Sequence, residues 1–347
     1  MSNKTASHEP RFGRLVTSLV RMRSIWKVLY ALLGAWMVLT IAVSTNLFFV
    51  QLLNGFVYGM ILVMIALGLS LILGLMGVIN FAHGWFFMLG GYFAYAIVAQ
   101  LQLSIWIGLV VAPLLVGLLG VVVERFLLRR LYGTEPINGL LLTFGIALMI
   151  EESIRYVWGS TPLSFDADIL SAPVPLGFTE IAGLRLFTAG VGVLAVVLTY
   201  LMIVQTDFGL SIRAGVEDAE MTELVGDNLP VKFTALFFTG SVLAGLAGVL
   251  RGAEAGLDPG MGALFIILVF VVIVVGGMGS LFGSVVGGLL IGVAMFLAPT
   301  MLNALALTTG LEWIAIDGVR RIVPFILMIV VLLDRPRGLF GEEDFLE

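Results

Sequence analysis

Long runs of apolar residues, separated by short polar or glycine-rich segments, recur along the whole chain. A helix needs about 20 residues to cross a bilayer core that is about 30 Å thick. The pattern predicts transmembrane helices over 25–43, 52–73, 85–101, 105–123, 138–158, 184–205, 233–250, 263–275, 284–298 and 322–333. The last three runs are short, so either they extend into flanking glycine-rich segments or some helices break inside the membrane. We therefore predict an all-α, polytopic integral membrane protein with about 8–10 transmembrane helices, some of them broken by Gly-rich segments.

The composition agrees with a membrane protein and excludes several kinds of chemistry. Of the 347 residues, 60% are hydrophobic and 12% are charged, whereas soluble globular proteins carry about 25% charged residues. Cysteine is absent, which excludes disulfides and thiolate metal sites. None of the three lysines, Lys4, Lys27 and Lys232, follows a glycine, so the chain has no phosphate-binding Gly-Lys-Ser/Thr motif. If ATP drives this protein, another subunit binds it.

The positions of the basic residues predict the orientation. Cytoplasmic loops of membrane proteins carry an excess of Lys and Arg. If the N-terminus is inside, five of the 18 basic residues fall near outer helix ends: Arg155, Arg185, Arg251, Arg320 and Arg321. The other thirteen fall on the cytoplasmic side. We therefore predict a cytoplasmic basic tail at 1–24, a transmembrane domain at 25–334 and a cytoplasmic C-terminal tail at 335–347.

The segment 74–84, Gly-Leu-Met-Gly-Val-Ile-Asn-Phe-Ala-His-Gly, interrupts two apolar runs. Glycine lets the backbone leave helical geometry, and transporters commonly place substrate sites at helices that are broken at membrane depth. Asn80 and a neutral His83 can each donate and accept hydrogen bonds. Two interpretations stay open: a solute site, or a tight cytoplasmic turn in which His83 caps a helix.

A second glycine-rich break lies at 276–283 and is followed by Gly287, Gly288 and Gly292. Residues 74–77 and 276–279 share a Gly-x-Met-Gly pattern, which indicates an internal duplication. For the three later glycines we predict close helix packing, which small residues permit in membranes.

Two polar loops stand out from the apolar pattern. The loop at 206–232 carries five acidic residues between Glu217 and Asp227, and 215–226 can form a short helix. This helix is either a docking surface for another protein or a solvated face. The loop at 159–183 contains three prolines and is too polar to lie in lipid. A solvated connector is favoured there over a contact with a soluble partner.

Few acidic residues lie near the predicted spans. Carriers coupled to protons or sodium usually keep ionisable residues deep in their helices. Here Glu124 lies at an inner helix end, and Glu151 and Glu152 lie toward an outer end. The second pair, near Arg155, is typical of a wet interface rather than a proton relay. The sequence therefore contains few ionisable residues that could couple transport to an ion gradient.

Four segments together resemble the permease subunits of ATP-binding-cassette (ABC) importers for branched-chain amino acids and similar small solutes. They are 68–84, the loop from Ser211 to Gly226, the glycines from 276 to 288, and Arg-Pro-Arg-Gly-Leu-Phe-Gly at 335–341. Two of these segments depart from the family pattern. Trp85 stands where the family usually has Glu after His-Gly. The docking loop reads Glu220-Met221-Thr222 where permeases usually have Glu-Ala-Ala, although the Glu and the later Gly226 are kept.

The resemblance implies a permease in the bacterial inner membrane that is not itself an enzyme and binds no cofactor or metal. Its implied partners are two cytoplasmic ABC ATPase subunits that bind the ATP, a second homologous permease or a second copy of this chain, and an extracytoplasmic solute-binding protein. The chain is also expected to contact the lipid bilayer. No nucleic acid is expected among its partners.

The resemblance also implies a function: alternating access that moves a small polar solute. A branched-chain amino acid comes first, and urea, an amide or a small organic acid comes next. We assign ATPase coupling to Arg213, Glu220, Glu223 and Gly226, and the solute path to Asn80, His83 and Trp85. The alternatives are a facilitative channel for urea or a small amide, and an ion-coupled secondary carrier.

Overall fold

The computed structural model describes residues 11–132, 134–166, 172–175, 177, 179–316 and 318–341, with side chains from residue 34 onward. Its α-helices are α1 Arg11–Met76, α2 His83–Tyr95, α3 Ile105–Phe126, α4 Pro136–Trp158, α5 Gly183–Gln205, α6 Asp207–Glu217, α7 Ala219–Leu224, α8 Leu229–Ala255, α9 Met261–Gly276, α10 Leu281–Thr309 and α11 Val319–Asp334. A π-helical turn, Ala96–Gln100, continues α2. Strands β1 (Pro173–Pro175) and β2 (Glu180–Ala182) form a small antiparallel hairpin. The predicted all-α class is confirmed.

Six helices in the described part of the chain are long and apolar enough to cross a membrane: 34–76 of α1, 105–131, α4, α5, α8 and α10. This number is below the eight to ten that we predicted. The first two predicted spans lie on either side of Ser44 in α1, where the backbone is non-helical and the element is kinked. Three others lie on the shorter helices α2, α9 and α11. The polytopic character of the chain is confirmed, and so are helices that end at glycine-rich breaks.

The chain divides into two compact units, each described here by itself. The smaller one comprises the described parts of 1–49 and 299–317. Within it, Trp36 Nε1 donates a hydrogen bond to the carbonyl oxygen of Met301 at 2.8 Å. The larger unit, 50–298 with the described part of 318–347, contains every site considered below.

Helix α2 lies at the centre of the larger unit. Its sequence is apolar or small on every side, which is typical of a helix that is buried all round, and most of its residues are buried. Glycines let α2 and α8 approach closely. A Cβ atom on Gly248 would overlap the carbonyl oxygen of Phe87, and one on Gly90 would overlap the carbonyl oxygen of Gly245. The contact between α2 and α8 is therefore a backbone-to-backbone contact.

The larger unit has two ends, which we name by what they carry. At the α6 end, α6 and α7 connect α5 to α8. At the hairpin end, the hairpin connects α4 to α5. The loop there is fixed to the unit by an antiparallel bridge between Leu163 and Leu257 and by Phe165, which is 6% exposed.

We expect Gly248→Ala to destabilise the fold, since the added methyl group must push α8 away from α2; overpacking of this kind costs about 1–3 kcal/mol. The matched control is Gly145→Ala in α4, where a Cβ atom meets nothing within 4 Å. Alanine is the better helix former there, so no loss is expected. The measurement is the midpoint of thermal aggregation in detergent. Equal midpoints for the two variants would contradict the packing described here.

Candidate functional site

The backbone between α1 and α2 is non-helical, with Asn80 and Ala82 buried in the bundle and Gly77 exposed. Helix α1 ends at Met76, and Gly77 then adopts φ +65°, a left-handed conformation that favours glycine. The amide of Phe81 donates to Thr143 Oγ1 of α4 at 3.1 Å, and this hydroxyl also lies 3.3 Å from the carbonyl oxygen of Ile79. Thr143 therefore fixes the break against α4.

The two polar side chains of the break are fully buried. Asn80 and His83 each have 0% exposure. His83 Nε2 lies 3.1 Å from the carbonyl oxygen of Ile65. Since a carbonyl only accepts, Nε2 carries the proton. His83 Nδ1 and both amide atoms of Asn80 have no partner within the described residues. A buried polar group without a partner lowers the free energy of unfolding by about 1–3 kcal/mol. Packing alone therefore does not explain why these atoms are buried.

Trp85 connects the break to charged residues on α4. It is 4% exposed, and its Nε1 donates to Glu151 Oε2 at 2.8 Å. Arg155 donates to Glu151 Oε1 at 2.5 Å and to Glu152 Oε1 at 3.1 Å. The structure thus brings Trp85, which we assigned to the solute path, together with the acidic pair, which we placed at a wet interface near Arg155.

The two Gly-x-Met-Gly segments meet in space. A Cβ atom on Gly74 would lie 2.8 Å from Gly279 Cα. The last glycine of each segment has positive φ, +65° at Gly77 and +80° at Gly279. The shared sequence pattern therefore corresponds to a shared backbone turn, and the two breaks pack against each other.

The C-terminal segment 335–341 is fixed to the second break. The amides of Leu339 and Phe340 donate to the carbonyl oxygens of Val275 at 2.9 Å and Gly276 at 2.8 Å. The rings of Phe340 and Phe282 meet edge to face at 4.9 Å. This segment therefore closes the end of α9, while residues 342–347 of the predicted tail lie outside the described residues.

The later glycines pack closely, as predicted. A Cβ atom on Gly288 would lie 2.7 Å from a side-chain atom of Val63, and one on Gly292 would overlap Gly59. Gly287 lies equally close to the carbonyl oxygen of Val272. Helices α1, α9 and α10 therefore approach one another through these positions.

The predicted helix at 215–226 is shorter than expected. The chain forms α6, breaks at Asp218 and then forms α7. Asp218 Oδ1 accepts from the amide of Met221 at 2.9 Å, so Asp218 caps a new helix instead of continuing the old one. Gly226, with φ +105°, follows α7.

The four residues that we assigned to ATPase coupling fall into two groups. Arg213 points into the protein and donates to the carbonyl oxygen of Ile203 in the last turn of α5 at 2.5 Å. Glu220, Glu223 and Gly226 are exposed. The first residue therefore anchors α6, and the other three are accessible at the α6 end.

Sequence reasoning missed the hydrogen-bond network around Glu124. This carboxylate is fully buried and accepts from Arg129 Nε and Nη2, both at 3.1 Å. It also accepts from Tyr132 Oη at 3.0 Å and Thr234 Oγ1 at 2.7 Å. Burial, together with the charge of Glu124, raises the pKa of Tyr132 above its usual range. The signal in the sequence was an acid at a helix end five residues before an arginine.

A pocket of about 220 Å³ opens beside this network at the α6 end. Residues 76–79 of the break line one side, and Tyr132, Glu135, Gly139 and Phe233 lie on the others. The pocket therefore connects the backbone of the first break to the α6 end of the bundle.

The family model for the permease component of branched-chain amino acid transport systems matches residues 51–332. The chain is 29% identical over 310 residues to the high-affinity branched-chain amino acid transport system permease protein BraD of Pseudomonas aeruginosa, across 85% of this chain and 96% of BraD. It is 28% identical to the corresponding protein LivH of Salmonella typhimurium, across 86% of this chain and 96% of LivH.

Among solved structures, PsaBC from Streptococcus pneumoniae in complex with Fab covers 83% of this chain and 92% of that chain, with 12% identity and a TM-score of 0.44. The family model spans most of the chain, and the resemblance inferred from the sequence motifs is confirmed. The chain belongs to the family of permease components of branched-chain amino acid transport systems.

Proposed function

We propose that this chain is the membrane-spanning subunit of an ABC importer that translocates a branched-chain amino acid by alternating access. Two separate cytoplasmic ATPase subunits hydrolyse the ATP, a second permease subunit or a second copy of this chain completes the path, and an extracytoplasmic binding protein delivers the solute. Family membership supports this proposal. In this arrangement the α6 end and both chain termini face the cytoplasm, as the distribution of basic residues favours.

One structural observation carries the coupling part of the proposal: α6 and α7 are exposed but firmly connected to the helices that hold the candidate site. Arg213 ties α6 to α5. Lys232 Nζ donates to Asp227 Oδ1 at 2.6 Å and lowers the pKa of this carboxyl group, which ties the end of the loop to α8. Helix α8 in turn packs on α2 through Gly248. A force on α7 therefore reaches α8 and then α2.

The proposed direction of the motion follows from these contacts. A partner that binds α7 differently in its two states would shift α8 relative to α5. Because α8 and α2 touch backbone to backbone, α2 would move with α8. His83 and Trp85 stand at the first turn of α2. The movement would thus alter the surroundings of the buried polar groups and expose the solute path to alternate sides.

The solute path that we propose includes Asn80, His83 and Trp85. The unpartnered atoms of Asn80 and His83 support this role, because they can donate to and accept from a polar solute. The surrounding apolar side chains of α2 suit an aliphatic side chain. A branched-chain amino acid combines both features.

The first experiment is purification of the chain from native membranes in mild detergent, with mass spectrometry of the proteins that co-purify, followed by reconstitution. We expect ATPase subunits and a second permease, and leucine uptake into proteoliposomes that requires ATP and the binding protein. A chain that purifies alone and passes urea or an amide in ATP-free liposomes would instead be a facilitative channel. Uptake that stops when an ion gradient is dissipated at constant ATP would indicate a secondary carrier.

We expect Glu220→Lys and Gly226→Pro to abolish ATP-dependent uptake while the protein still reaches the membrane. The first reverses a charge on the exposed face of α7. The second places proline at φ +105°, which its ring cannot adopt. The matched control is Glu217→Lys, an exposed acid outside α7. Wild-type uptake by both test variants, or an equal loss of uptake in the control, would show that α7 does not couple the ATPase to transport.

We expect Asn80→Leu to lower leucine uptake at least tenfold without lowering thermal stability. Leucine has the same branching at Cγ as asparagine and removes an amide whose two polar atoms have no partners among the described residues, so the fold loses no hydrogen bond. Uptake kinetics and the thermal aggregation midpoint are measured on the same preparation. Thr143→Val serves as the control, since it removes a hydroxyl that does hold the break and should lower stability. Unchanged leucine uptake by Asn80→Leu would contradict the role of Asn80 in the solute path and would indicate that the break is only a structural turn.

A further inference from the structure

Helix α4 combines low burial with charged side chains. Only 22% of its most apolar stretch is buried within this chain, the smallest share among the six spanning helices of the described residues. The same helix carries Glu151, Glu152 and Arg155. An exposed helix in a membrane normally presents apolar side chains to lipid, so the three charges require another neighbour.

The depth of the two carboxylates shows why lipid is unsuitable. Helix α4 has 23 residues and ends at Trp158, so it is about 35 Å long at 1.5 Å per residue. Glu151 and Glu152 therefore lie about 10 Å from its end, inside a hydrocarbon core about 30 Å thick. A charged side chain that faces lipid is unfavourable, by about 2.5–3.5 kcal/mol or more at the bilayer centre and by less toward the interface. Since the side chain of Glu152 is 71% exposed, this face of α4 must meet water or protein.

The charges form a fixed cluster that is not neutral. Glu151 is only 14% exposed and is held by Trp85 Nε1 at 2.8 Å and by Arg155 at 2.5 Å. Arg155, 40% exposed, also bonds Glu152 at 3.1 Å. Two carboxylates thus share one guanidinium, which leaves one surplus negative charge. Such a cluster attracts an ammonium group to its carboxylates and still offers guanidinium hydrogens to a carboxylate.

A second observation on the same two helices points to a ligand. Tyr92 is fully buried, and both its hydroxyl and Trp158 Nε1 lack a partner within the described residues. Their rings lie 5.3 Å apart. Tyr92 follows Trp85 by seven residues on α2, and Trp158 follows Glu151 by seven on α4. Seven residues are about two helical turns, so both residues lie on the same interface, nearer the hairpin end. Hydrogen-bonding groups therefore continue along this interface beyond the charged cluster.

We propose that Glu151, Glu152 and Arg155, positioned by Trp85, form the part of the solute path that binds the charged groups of a zwitterionic α-amino acid. This inference rests on the proposed function and assigns the residues that recognise the charged groups of its solute. The carboxylates bind the α-ammonium group, and Arg155 binds the α-carboxylate. The surplus negative charge disfavours organic acids, which lack the ammonium group. The path therefore passes the charged cluster of α4 and continues along the interface between α2 and α4.

Because this chain has no cysteine, a single introduced thiol can be labelled without reaction at native thiols, and the first test uses this property. Leu148→Cys, one helical turn before Glu152 and 48% exposed, leaves the charged cluster intact; it is introduced into the reconstituted transporter and treated with a membrane-impermeant cationic methanethiosulfonate reagent. We expect rapid modification, slowed severalfold by L-leucine with binding protein and ATP. The matched control is Leu198→Cys on α5, 56% exposed among apolar residues, which should react at least tenfold more slowly. Equally slow thiol modification at the two positions would show that this part of α4 does not face water and would overturn the proposed path.

The second test measures recognition. Glu151→Gln keeps the shape and an acceptor for Trp85 but removes the charge, and we expect leucine uptake to fall at least tenfold with ATP hydrolysis and subunit assembly retained. Glu312→Gln, an exposed acid in the smaller unit, should transport normally. Normal uptake by Glu151→Gln would overturn the zwitterion site. If wild-type protein shows no ATP-dependent uptake, the proposed function fails instead, and the thiol reaction still decides whether the cluster faces water.

Discussion

The structure depends on one constraint: every backbone amide and carbonyl group at membrane depth must find a partner inside the protein. Helices satisfy this requirement locally, but the six residues between Met76 and His83 are not helical. They remain possible because Gly77 makes the turn and bonds back to Leu73 at 3.1 Å, and because Thr143 of α4 bonds the amide of Phe81. The break is therefore supported by the bundle around it, and α1, α2 and α4 form a single site.

Close packing of glycines connects the break between α1 and α2 to α8 through main-chain contacts. The contact of α2 with α8 passes through main-chain atoms at Gly90 and Gly248, where no flexible side chain can absorb a displacement. The two Gly-x-Met-Gly breaks meet in the same way, and the C-terminal segment is bonded to the second one. Packed cores respond to a displacement by moving as units instead of deforming gradually. A shift of α8 is thus carried to α2 directly.

The polar groups of the bundle fall into two sets, one satisfied within the chain and one with unused hydrogen-bonding atoms or charge. Glu124 has four donors from three residues and joins α3 to α8, so it is a structural anchor. Asn80 and His83 keep atoms without partners among the described residues, and the cluster around Glu151 keeps surplus charge. Groups of the first set hold the fold, and we propose that those of the second set bind the solute.

The sequence by itself determined the fold class, the glycine-rich breaks and the family, because long apolar runs, glycine spacing and short motifs are local features. It also located the exposed acids of α7. It did not determine the lengths of the helices: the runs at 85–101, 263–275 and 322–333 form the shorter helices α2, α9 and α11, whose ends depend on tertiary packing. Nor did it show that Trp85 meets Glu151, 66 residues away, or that Arg129 and Thr234 meet Glu124. Those contacts join helices that are distant in the chain, and only packing brings their side chains within hydrogen-bonding distance.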